Sequence, residues 1–352
     1  LKMKILQDLS VNELKELVLS YGEKPYRAIQ LFKGLAQGKK ISEISDISKS
    51  FREKLLETYA DSAVEIIEVK TSEIDGTKKL LFRLSDGNVI EGVVMRYKYG
   101  NTQCVSTQVG CRMGCAFCAS GIGGLVRNLT AGEIYSEIIA VNKFLGGTAD
   151  KRSVTNVVLM GSGEPLDNYD NTVKFIRLLA DENGLNVSPR NVSLSTCGLV
   201  PQIYKLADEG LDVNLTVSLH NPFDEKRKEL MPIAKKYKVS EILDACAAYF
   251  KKTGRRYIFE YSLVKGQNDG KECADELIRL LKGRHCHVNL IRLNEVKEKN
   301  LEATSDKDAY RFLSLLEKGG LSATVRRQMG VDIDGACGQL RRKYLGEERY
   351  SD

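Results

Sequence analysis

Three cysteines, Cys111, Cys115 and Cys118, stand within eight residues in the segment CRMGCAFC. Thiolates at this C-x3-C-x2-C spacing can surround one small metal centre, but the neighbouring sequence supplies no fourth ligand. A structural zinc site uses four protein ligands, whereas an iron–sulfur cluster takes one cysteine per iron. The pattern therefore predicts a four-iron cluster with one iron left open for a substrate or cofactor, and a zinc site is the alternative.

Glycine-rich and polar positions recur where apolar stretches end. Gly163 would let a ligand approach the backbone closely, because glycine has no Cβ atom. The Glu164 carboxylate can accept hydrogen bonds from an ammonium group, while hydroxyl and amide groups can meet ribose hydroxyls or adenine edges. The alternatives are an ordinary turn and, at His220, a structural histidine. The candidate ligand contacts are Gly163, Glu164, Ser195, Ser218, His220 and Asn294.

Two further cysteines lie apart from the triad. Cys104 precedes Cys111 by seven residues, and Cys337 lies between Gly335 and Gly338. Flanking glycines suit an exposed, reactive thiol, whereas a small buried hydrophobic side chain is the ordinary role of a cysteine. The pattern leaves both interpretations of Cys337 open. The buried role fits the other four, which are Cys197, Cys246, Cys273 and Cys286.

Strand and helix patterns alternate from Cys104 onwards. The predicted strands and helices must position the candidate site residues. A helix is predicted over 130–146, where Thr130 and Glu133 form a capping-box pattern. Such alternation predicts a parallel sheet with crossover helices, as a partial or full (β/α) barrel. Functional residues gather at the carboxyl ends of barrel strands, where each motif falls. The predicted strands are 104–110, 155–161, 191–197, 212–220, 256–264 and 287–294, with a possible last one at 323–328.

The N-terminal part has a different pattern. Residues 10–60 read as short amphipathic helices, the first with a capping box at Ser10 and Glu13. Alternating apolar residues around Asp75-Gly76 and Asp86-Gly87 then predict a small antiparallel sheet. The predicted regions are a helical accessory, RNA-binding region at 1–60, the antiparallel β region at 61–96, the α/β core at 97–340 and a basic tail at 341–352.

Composition limits the class of protein. The 352 residues are 42% hydrophobic, as in a globular protein, and no apolar run approaches the roughly 18 residues that a membrane helix needs. The N-terminus lacks a secretory pattern, and its Leu1 is consistent with an altered or trimmed start. Nine cysteines, an odd number, favour a reducing cytoplasm. A net charge of +6 favours a polyanionic partner. The basic clusters are 226–228, 235–238, 255–256, 326–327 and 341–343.

The motifs together resemble the RlmN-type radical S-adenosylmethionine (SAM) methyltransferases, which methylate carbon 2 of adenine in 23S ribosomal RNA and in certain tRNAs. The resemblance covers nearly the whole chain in the family's order. Its main segments are GEKPYRAIQLF, CVSTQVGCRMGCAFCASGIGGLVRNLTAGEI, LMGSGEPLDNYD, LSTCGLVPQIYKLAD, VSLHNPFDEKRKELMPI, HVNLIRLN and RRQMGVDIDGACGQLR.

The resemblance implies a role for each candidate residue. Cys111, Cys115 and Cys118 would ligate one 4Fe–4S cluster. The six candidate ligand contacts would line the SAM site together with Leu219. Cys337 would carry the methyl group, with Cys104 as its partner. Glu91, which the sequence alone marks only as a strand carboxylate, matches the family's proton acceptor. Two residues depart from the family pattern, Ser162 between the glycines and Cys197 in place of a serine.

The implied reaction consumes two SAM molecules. The first methylates Cys337 to S-methylcysteine, and the second yields a 5′-deoxyadenosyl radical after an electron arrives from a donor such as flavodoxin or ferredoxin. The radical activates the methylated cysteine, whose carbon adds to the adenine ring. Glu91 then accepts the substrate proton, and Cys104 releases the RNA by forming a transient Cys104–Cys337 disulfide.

Three alternatives remain at this point. A related antibiotic-resistance family methylates carbon 8 of adenine, but Pro165 in GSGEP is more typical of the carbon-2 family. A zinc-stapled RNA-binding module would contain zinc and no sulfide. A radical SAM enzyme that acts on protein would leave the basic surface and Cys337 unexplained.

Overall fold

Helices and strands alternate along most of the chain after a helical N-terminal segment. The computed structural model describes residues 3–294, 296, 298–333 and 339–348. The α-helices are α1 (Val11–Ser20), α2 (Arg27–Ala36), α3 (Lys49–Leu56), α4 (Ala131–Phe144), α5 (Tyr169–Ala180), α6 (Val200–Asp208), α7 (Asp224–Leu230), α8 (Val239–Thr253), α9 (Lys271–Leu281), α10 (Asp306–Lys318) and α11 (Gln339–Glu348). None of the helices in these ranges is both long enough and apolar enough to cross a lipid bilayer.

The strands form one large sheet and one small ribbon. They are β1 (Val64–Thr71), β2 (Lys78–Leu84), β3 (Val89–Tyr97), β4 (Gly100–Cys104), β5 (Gln108–Gly110), β6 (Leu125–Asn128), β7 (Val154–Leu159), β8 (Val192–Thr196), β9 (Asn214–Ser218), β10 (Tyr257–Leu263), β11 (Cys286–Arg292) and β12 (Ala323–Val325). The ten-stranded sheet has the order β1-β2-β3-β4-β7-β8-β9-β10-β11-β12, and β5 pairs with β6 separately.

The large sheet combines two hydrogen-bonding patterns. Strands β1 to β4 pair antiparallel, whereas β4 and β7 to β12 pair parallel. Parallel strands covered on both faces are nearly continuous in apolar residues, and β10 follows this rule with six of its seven residues buried. The predicted α/β core is therefore confirmed as an open, partial barrel. The predicted antiparallel strands extend the same sheet.

The first predicted core strand, over 104–110, is wrong in its boundaries. The sheet strand β4 ends at Cys104, and β5 begins a separate ribbon at Gln108. The chain reverses at Gly100, whose φ of +125° few other residues adopt, so that β4 lies antiparallel to β3. Ser106 then leaves the ladder: its hydroxyl donates to the Glu91 carbonyl and accepts from the Ser162 N–H. Hydrogen bonds of the Ser106 side chain to β3 and to Ser162 replace the expected strand pairing.

The N-terminal helices pack against the core at the start of α4. Both predicted capping boxes are present, at Ser10 with Glu13 and at Thr130 with Glu133. The Asp8 carboxylate accepts a hydrogen bond of 2.7 Å from the Gly132 N–H. A Cβ atom at Gly132 would lie 2.4 Å from the Asp8 nitrogen, so only glycine fits this contact. These contacts fix the helical region relative to α4.

Candidate active site

The three cysteines lie in a loop that the β5–β6 ribbon closes. The Cys111 N–H donates to the Gly124 carbonyl at 3.0 Å. Gly110, which ends β5, has a φ of +80°, and a Cβ atom there would lie 2.0 Å from the Gly124 oxygen. On the other side, the Ala116 N–H donates to the carbonyl of Leu230 at the end of α7, at 2.8 Å. The loop is thus held by the ribbon and by α7.

A cavity of about 360 Å³ opens at the carboxyl ends of the parallel strands. The three thiol-bearing residues line it together with most of the predicted ligand contacts. Leu219 does not: its side chain is fully buried, and its N–H donates to the Glu260 carbonyl at 3.0 Å. The predicted residues that line the cavity are Cys104, Cys111, Cys115, Cys118, Gly163, Glu164, Ser195, Ser218, His220 and Asn294.

The cysteine thiols share an unusual electrostatic environment. Burial raises the pKa of Cys111 to about 11, and the neighbouring Cys118 adds to this effect. The pKa of Cys115 is also raised, first by burial and then by Cys118 and Cys111. The three groups are therefore close enough that their negative charges would repel one another. A cationic centre would relieve this repulsion, and soft thiolate ligands suit iron–sulfur clusters.

A single-ion site is not preformed. Within the described ranges, no group of three or more His, Cys, Asp or Glu side chains is arranged to hold one metal ion. A four-iron cube does not need that arrangement, because each thiolate binds a different iron. The donor set and the shared cavity fit the cluster that the sequence predicts.

Glu164 is anchored by one backbone N–H group of its own loop and by another that follows the end of β8. Its side chain is 4% exposed. One carboxylate oxygen accepts from the Cys197 N–H at 2.7 Å, and the other accepts from the Leu166 N–H at 3.1 Å. Burial raises the pKa of Glu164, and the hydrogen bond from Cys197 opposes this shift. Glu164 therefore ties the loop after β7 to the end of β8, and it also lines the cavity.

The glycines of the GSGE turn are required by close packing within the protein. Gly163 has a φ of +111°, and a Cβ atom there would lie 2.7 Å from the Gln108 Cβ. A Cβ atom at Gly161 would lie 2.5 Å from the Val105 carbonyl oxygen. Ser162, one of the two departures from the family pattern, has its Oγ 3.4 Å from the Gly110 carbonyl. The turn therefore accommodates this serine.

His220 is a fixed, neutral imidazole. It has a φ of +55°, which is rare for residues other than glycine. Its Nδ1 accepts a hydrogen bond of 2.9 Å from the Ser262 N–H, so the ring proton lies on Nε2. Burial lowers the pKa of His220 to about 3, with a further contribution from the Arg227 charge. The ring packs edge-on against Phe117, with centroids 4.6 Å apart.

The residues predicted to release the product lie on β3 and at the end of β4. Cys104 packs with Val93 and Met95. Glu91 is buried beside the fully buried Lys79, with 3.5 Å between the charged atoms, and it accepts a hydrogen bond from the Arg341 N–H. Glu91 does not belong to the cavity lining described above. The structure therefore brings Cys104 to the cavity but not Glu91.

Cys337 lies outside the described residues. Its predicted partner Cys104 shares the cavity with Met329, which precedes the undescribed segment 334–338. The described helix α11 follows that segment and reaches Glu91 through Arg341. The pairing of Cys104 with Cys337 stays a prediction.

Sequence reasoning missed two buried charged residues at this site. Glu260 lines the cavity from the middle of β10, and Asn289 donates to its carboxylate at 3.0 Å. Arg227 is fully buried in α7, although it lies in a cluster of three basic residues that usually indicates a solvated surface. A carboxylate inside an apolar strand was the available signal for Glu260. Nothing in the sequence distinguished Arg227 from its neighbours.

Comparison with known proteins places the chain in a family. Residues 105–281 match the Radical SAM superfamily, and residues 5–60 match the ribosomal RNA large subunit methyltransferase N-terminal domain. A probable dual-specificity RNA methyltransferase RlmN of Clostridium perfringens strain 13 is 54% identical over 345 residues, which cover 97% of this chain and 98% of the relative. The protein of the same name from Lachnospira eligens is 50% identical over 349 residues, 99% of this chain and 98% of the relative.

A solved structure is also similar to this chain over nearly its whole length. The crystal structure of a radical SAM methyltransferase from Sphaerobacter thermophilus superposes with a TM-score of 0.91 and is 41% identical, covering 96% of this chain and 98% of that one. The identity and coverage extend through the helical N-terminal region and the core alike. The resemblance inferred from the motifs is thereby confirmed: this chain belongs to the RlmN family of radical SAM RNA methyltransferases.

Proposed function

We propose that this chain methylates carbon 2 of a specific adenosine in 23S ribosomal RNA and in tRNAs, with two SAM molecules consumed per turnover. The observation that carries the proposal is the convergence of three thiols with Glu164, Ser195, Ser218, His220 and Asn294 around one cavity. Relatives named dual-specificity RNA methyltransferases support the RNA substrate. The carbon-8 alternative is not favoured, because these relatives carry the RlmN name.

In this proposal Cys111, Cys115 and Cys118 hold a 4Fe–4S cluster. When bound, the cluster supplies the electron that cleaves SAM reductively. The surrounding residues position SAM. The neutral His220 offers its Nε2–H as a donor, because its Nδ1 is already engaged. The hydroxyls of Ser195 and Ser218 are the donors and acceptors that ribose and adenine need.

Cys337 and Cys104 carry the proposed covalent chemistry. The Cys337 thiolate takes the methyl group from one SAM, with S-adenosylhomocysteine as the leaving group, and later links the RNA base to the protein through that carbon. Glu91 accepts the proton that leaves carbon 2, and the buried ion pair with Lys79 holds its carboxylate in place. Cys104 then attacks the Cys337 sulfur, which releases methylated RNA and leaves a disulfide.

The RNA must present an unstacked adenosine, because carbon 2 is not accessible to this chemistry inside a helix. Single-stranded loops meet this need at low cost. We propose that the helical region at 1–60 and the exposed residues of the basic clusters contact phosphates. Binding should then weaken steeply as salt rises, and a dissociation constant unaffected by salt would exclude this role. We also propose that the protein acts in the cytoplasm and receives electrons from a donor such as flavodoxin or ferredoxin.

The decisive experiment is mass spectrometry of RNA from cells with and without this chain. We expect 2-methyladenosine to be lost from 23S ribosomal RNA and tRNA in its absence. Loss of 8-methyladenosine instead would identify the other family's reaction, and no change in either nucleoside would refute RNA methylation by this chain.

Variants test the division of labour between the cysteines. Cys104→Ala should accumulate protein cross-linked to RNA, whereas Cys337→Ala should neither load a methyl group nor cross-link. Cys246→Ala is the matched control, since Cys246 is fully buried in α8. Equal inactivity without cross-links in the Cys104 and Cys337 variants would contradict the assignment.

A further inference from the structure

Arg227 is a buried cation next to the cysteine loop, with no role assigned so far. Its side chain is 0% exposed. The guanidinium donates to three backbone carbonyls at the carboxyl ends of β8 and β9: Nε to Leu219 at 3.0 Å, and Nη2 to Cys197 at 2.8 Å and to Ser218 at 3.0 Å. One side chain thus joins two strand ends that line the cavity.

The hydrogen bonds leave part of the guanidinium unsatisfied. Its Nη1 is buried and has no hydrogen-bond partner among the residues that the structure describes. Asp224, a carboxylate that acts on Arg227 electrostatically, accepts a hydrogen bond of 2.7 Å from the Val239 N–H. A buried charge is costly unless it is compensated, and an unpaired buried donor adds to the cost. The fold therefore keeps a positive charge at this position for which neutral carbonyls are the main partners.

The guanidinium lies against the wall of the cavity that holds the three thiols. Cys197 and Ser218, whose carbonyls it binds at 2.8 Å and 3.0 Å, line that cavity together with the cysteine triad. Helix α7 also contacts the cysteine loop directly, through the hydrogen bond from the Ala116 N–H to the Leu230 carbonyl. Helix α7 therefore carries the Arg227 side chain and also contacts the cysteine loop.

We propose that Arg227 is a positioning residue that raises the reduction potential of the cluster held by Cys111, Cys115 and Cys118, while it fixes the carbonyls of β8 and β9 beside the SAM site. The inference rests on the cluster of the proposed function. It assigns to the buried charge an electrostatic interaction with the thiolates that hold that cluster.

The physical reason is electrostatic. Reduction adds one electron, and hence one negative charge, to a centre that already carries three thiolates. Net charge and hydrogen bonds to sulfur are established determinants of cluster potentials, and a charge acts more strongly when it is shielded from water. The electron comes from a low-potential one-electron donor, and no bond forms or breaks. Removal of the cation should therefore favour the oxidised cluster.

The test is a redox titration of anaerobically purified protein with dithionite and mediators, followed by electron paramagnetic resonance. Arg227→Met removes the charge, and we expect the equilibrium constant for reduction to fall at least about ten-fold, which corresponds to about 59 mV for a one-electron couple. Lys226→Met is the matched control, because it removes the same charge from the preceding, exposed residue. That control should titrate like wild type.

Arg227→Lys distinguishes the effect of the positive charge from the effect of the guanidinium hydrogen bonds. Lysine keeps the charge but lacks the planar donor geometry. We expect a potential near that of wild type, and at least a five-fold higher SAM concentration for half-maximal change of the cluster spectrum. If Arg227→Met does not retain iron, Arg227→Gln, which loses the charge and keeps an amide donor, takes its place in the titration.

The outcomes separate this inference from the proposed function. Normal iron and sulfide contents with an unchanged potential in Arg227→Met would overturn the role of Arg227 alone. A potential in Arg227→Lys as low as in Arg227→Met would overturn the electrostatic part. Wild-type protein without iron and sulfide would overturn the proposed cofactor, and this inference with it.

Discussion

Replacement of Gly163 by alanine should destabilise the protein and impair SAM binding through one displaced side chain. The backbone at Gly163 has a φ of +111°, and the added Cβ atom would lie 2.7 Å from the Gln108 Cβ and 2.8 Å from both its Cγ and its backbone nitrogen. These atoms belong to the rigid part of Gln108. The residue cannot avoid the contact by changing only the end of its side chain.

Two contributions determine the size of the effect. A residue held in this region of φ costs about 1–3 kcal/mol, and overpacking of a tightly packed site costs about 1–3 kcal/mol. We therefore expect Gly163→Ala to lower the free energy of unfolding by about 4 kcal/mol. Gln108 also accepts the hydrogen bond from the Glu164 N–H at 2.9 Å. Its displacement should weaken SAM binding in the variant that folds.

Gly123 and Gly124, which are adjacent to each other in the chain, provide controls with smaller expected effects. Gly124 has a φ of +66° with open space around its Cα, so alanine there should cost about 1–2 kcal/mol from the backbone alone. Gly123 has open space and no positive φ, and its variant should lie within about 0.5 kcal/mol of wild type. Urea denaturation followed by circular dichroism measures all three. If Gly163→Ala is no less stable than Gly124→Ala, the packing of Gln108 against the turn is refuted.

Two further predictions concern buried and paired charges. Lys79→Met should lower the free energy of unfolding by about 3–5 kcal/mol, because it leaves the buried Glu91 carboxylate without its ion pair. In urea denaturation, the double variant that also carries Glu91→Gln should regain most of this loss. A double variant as unstable as Lys79→Met would contradict the pairing. Burial opposes ionisation of Asp86, but hydrogen bonds from Arg127 and Asn88 lower its pKa from the ordinary 3.8 to about 2. This stabilisation is fully present above pH 3.8 and is lost as the pH falls through 2. Across this pH range the free energy of unfolding should therefore fall less steeply in Asp86→Asn than in wild type. An identical dependence on pH in the two proteins would show that Asp86 is not the responsible group.

Local patterns in the sequence were sufficient for much of the core. The parallel strands were predicted because their apolar runs and the intervening helices repeat regularly, and the capping boxes of α1 and α4 involve residues only three apart. The strand ends, and hence the ring of candidate residues, follow from that regularity. The cysteine triad needs no tertiary information at all.

Features that depend on distant partners could not be predicted. The β4 boundary depends on Ser106, which bonds to residues on β3 and on the GSGE turn. The pairing of Glu91 with Lys79 joins two neighbouring strands, and only the register of β2 with β3 brings the residues together. Arg227 looks like its basic neighbours in sequence, and only the helix orientation places it inside. His220 has an unusual backbone conformation that no local pattern announces.

The central claim is that three thiolates hold a four-iron cluster with one iron open to SAM. The most direct measurement is the electron paramagnetic resonance spectrum of the dithionite-reduced, anaerobically purified protein as SAM is added. The account predicts a cluster signal whose shape changes in a saturable way with SAM, and loss of that signal in Cys111→Ala. A wild-type cluster signal that SAM leaves unchanged, or protein that contains zinc and no sulfide, would contradict the account.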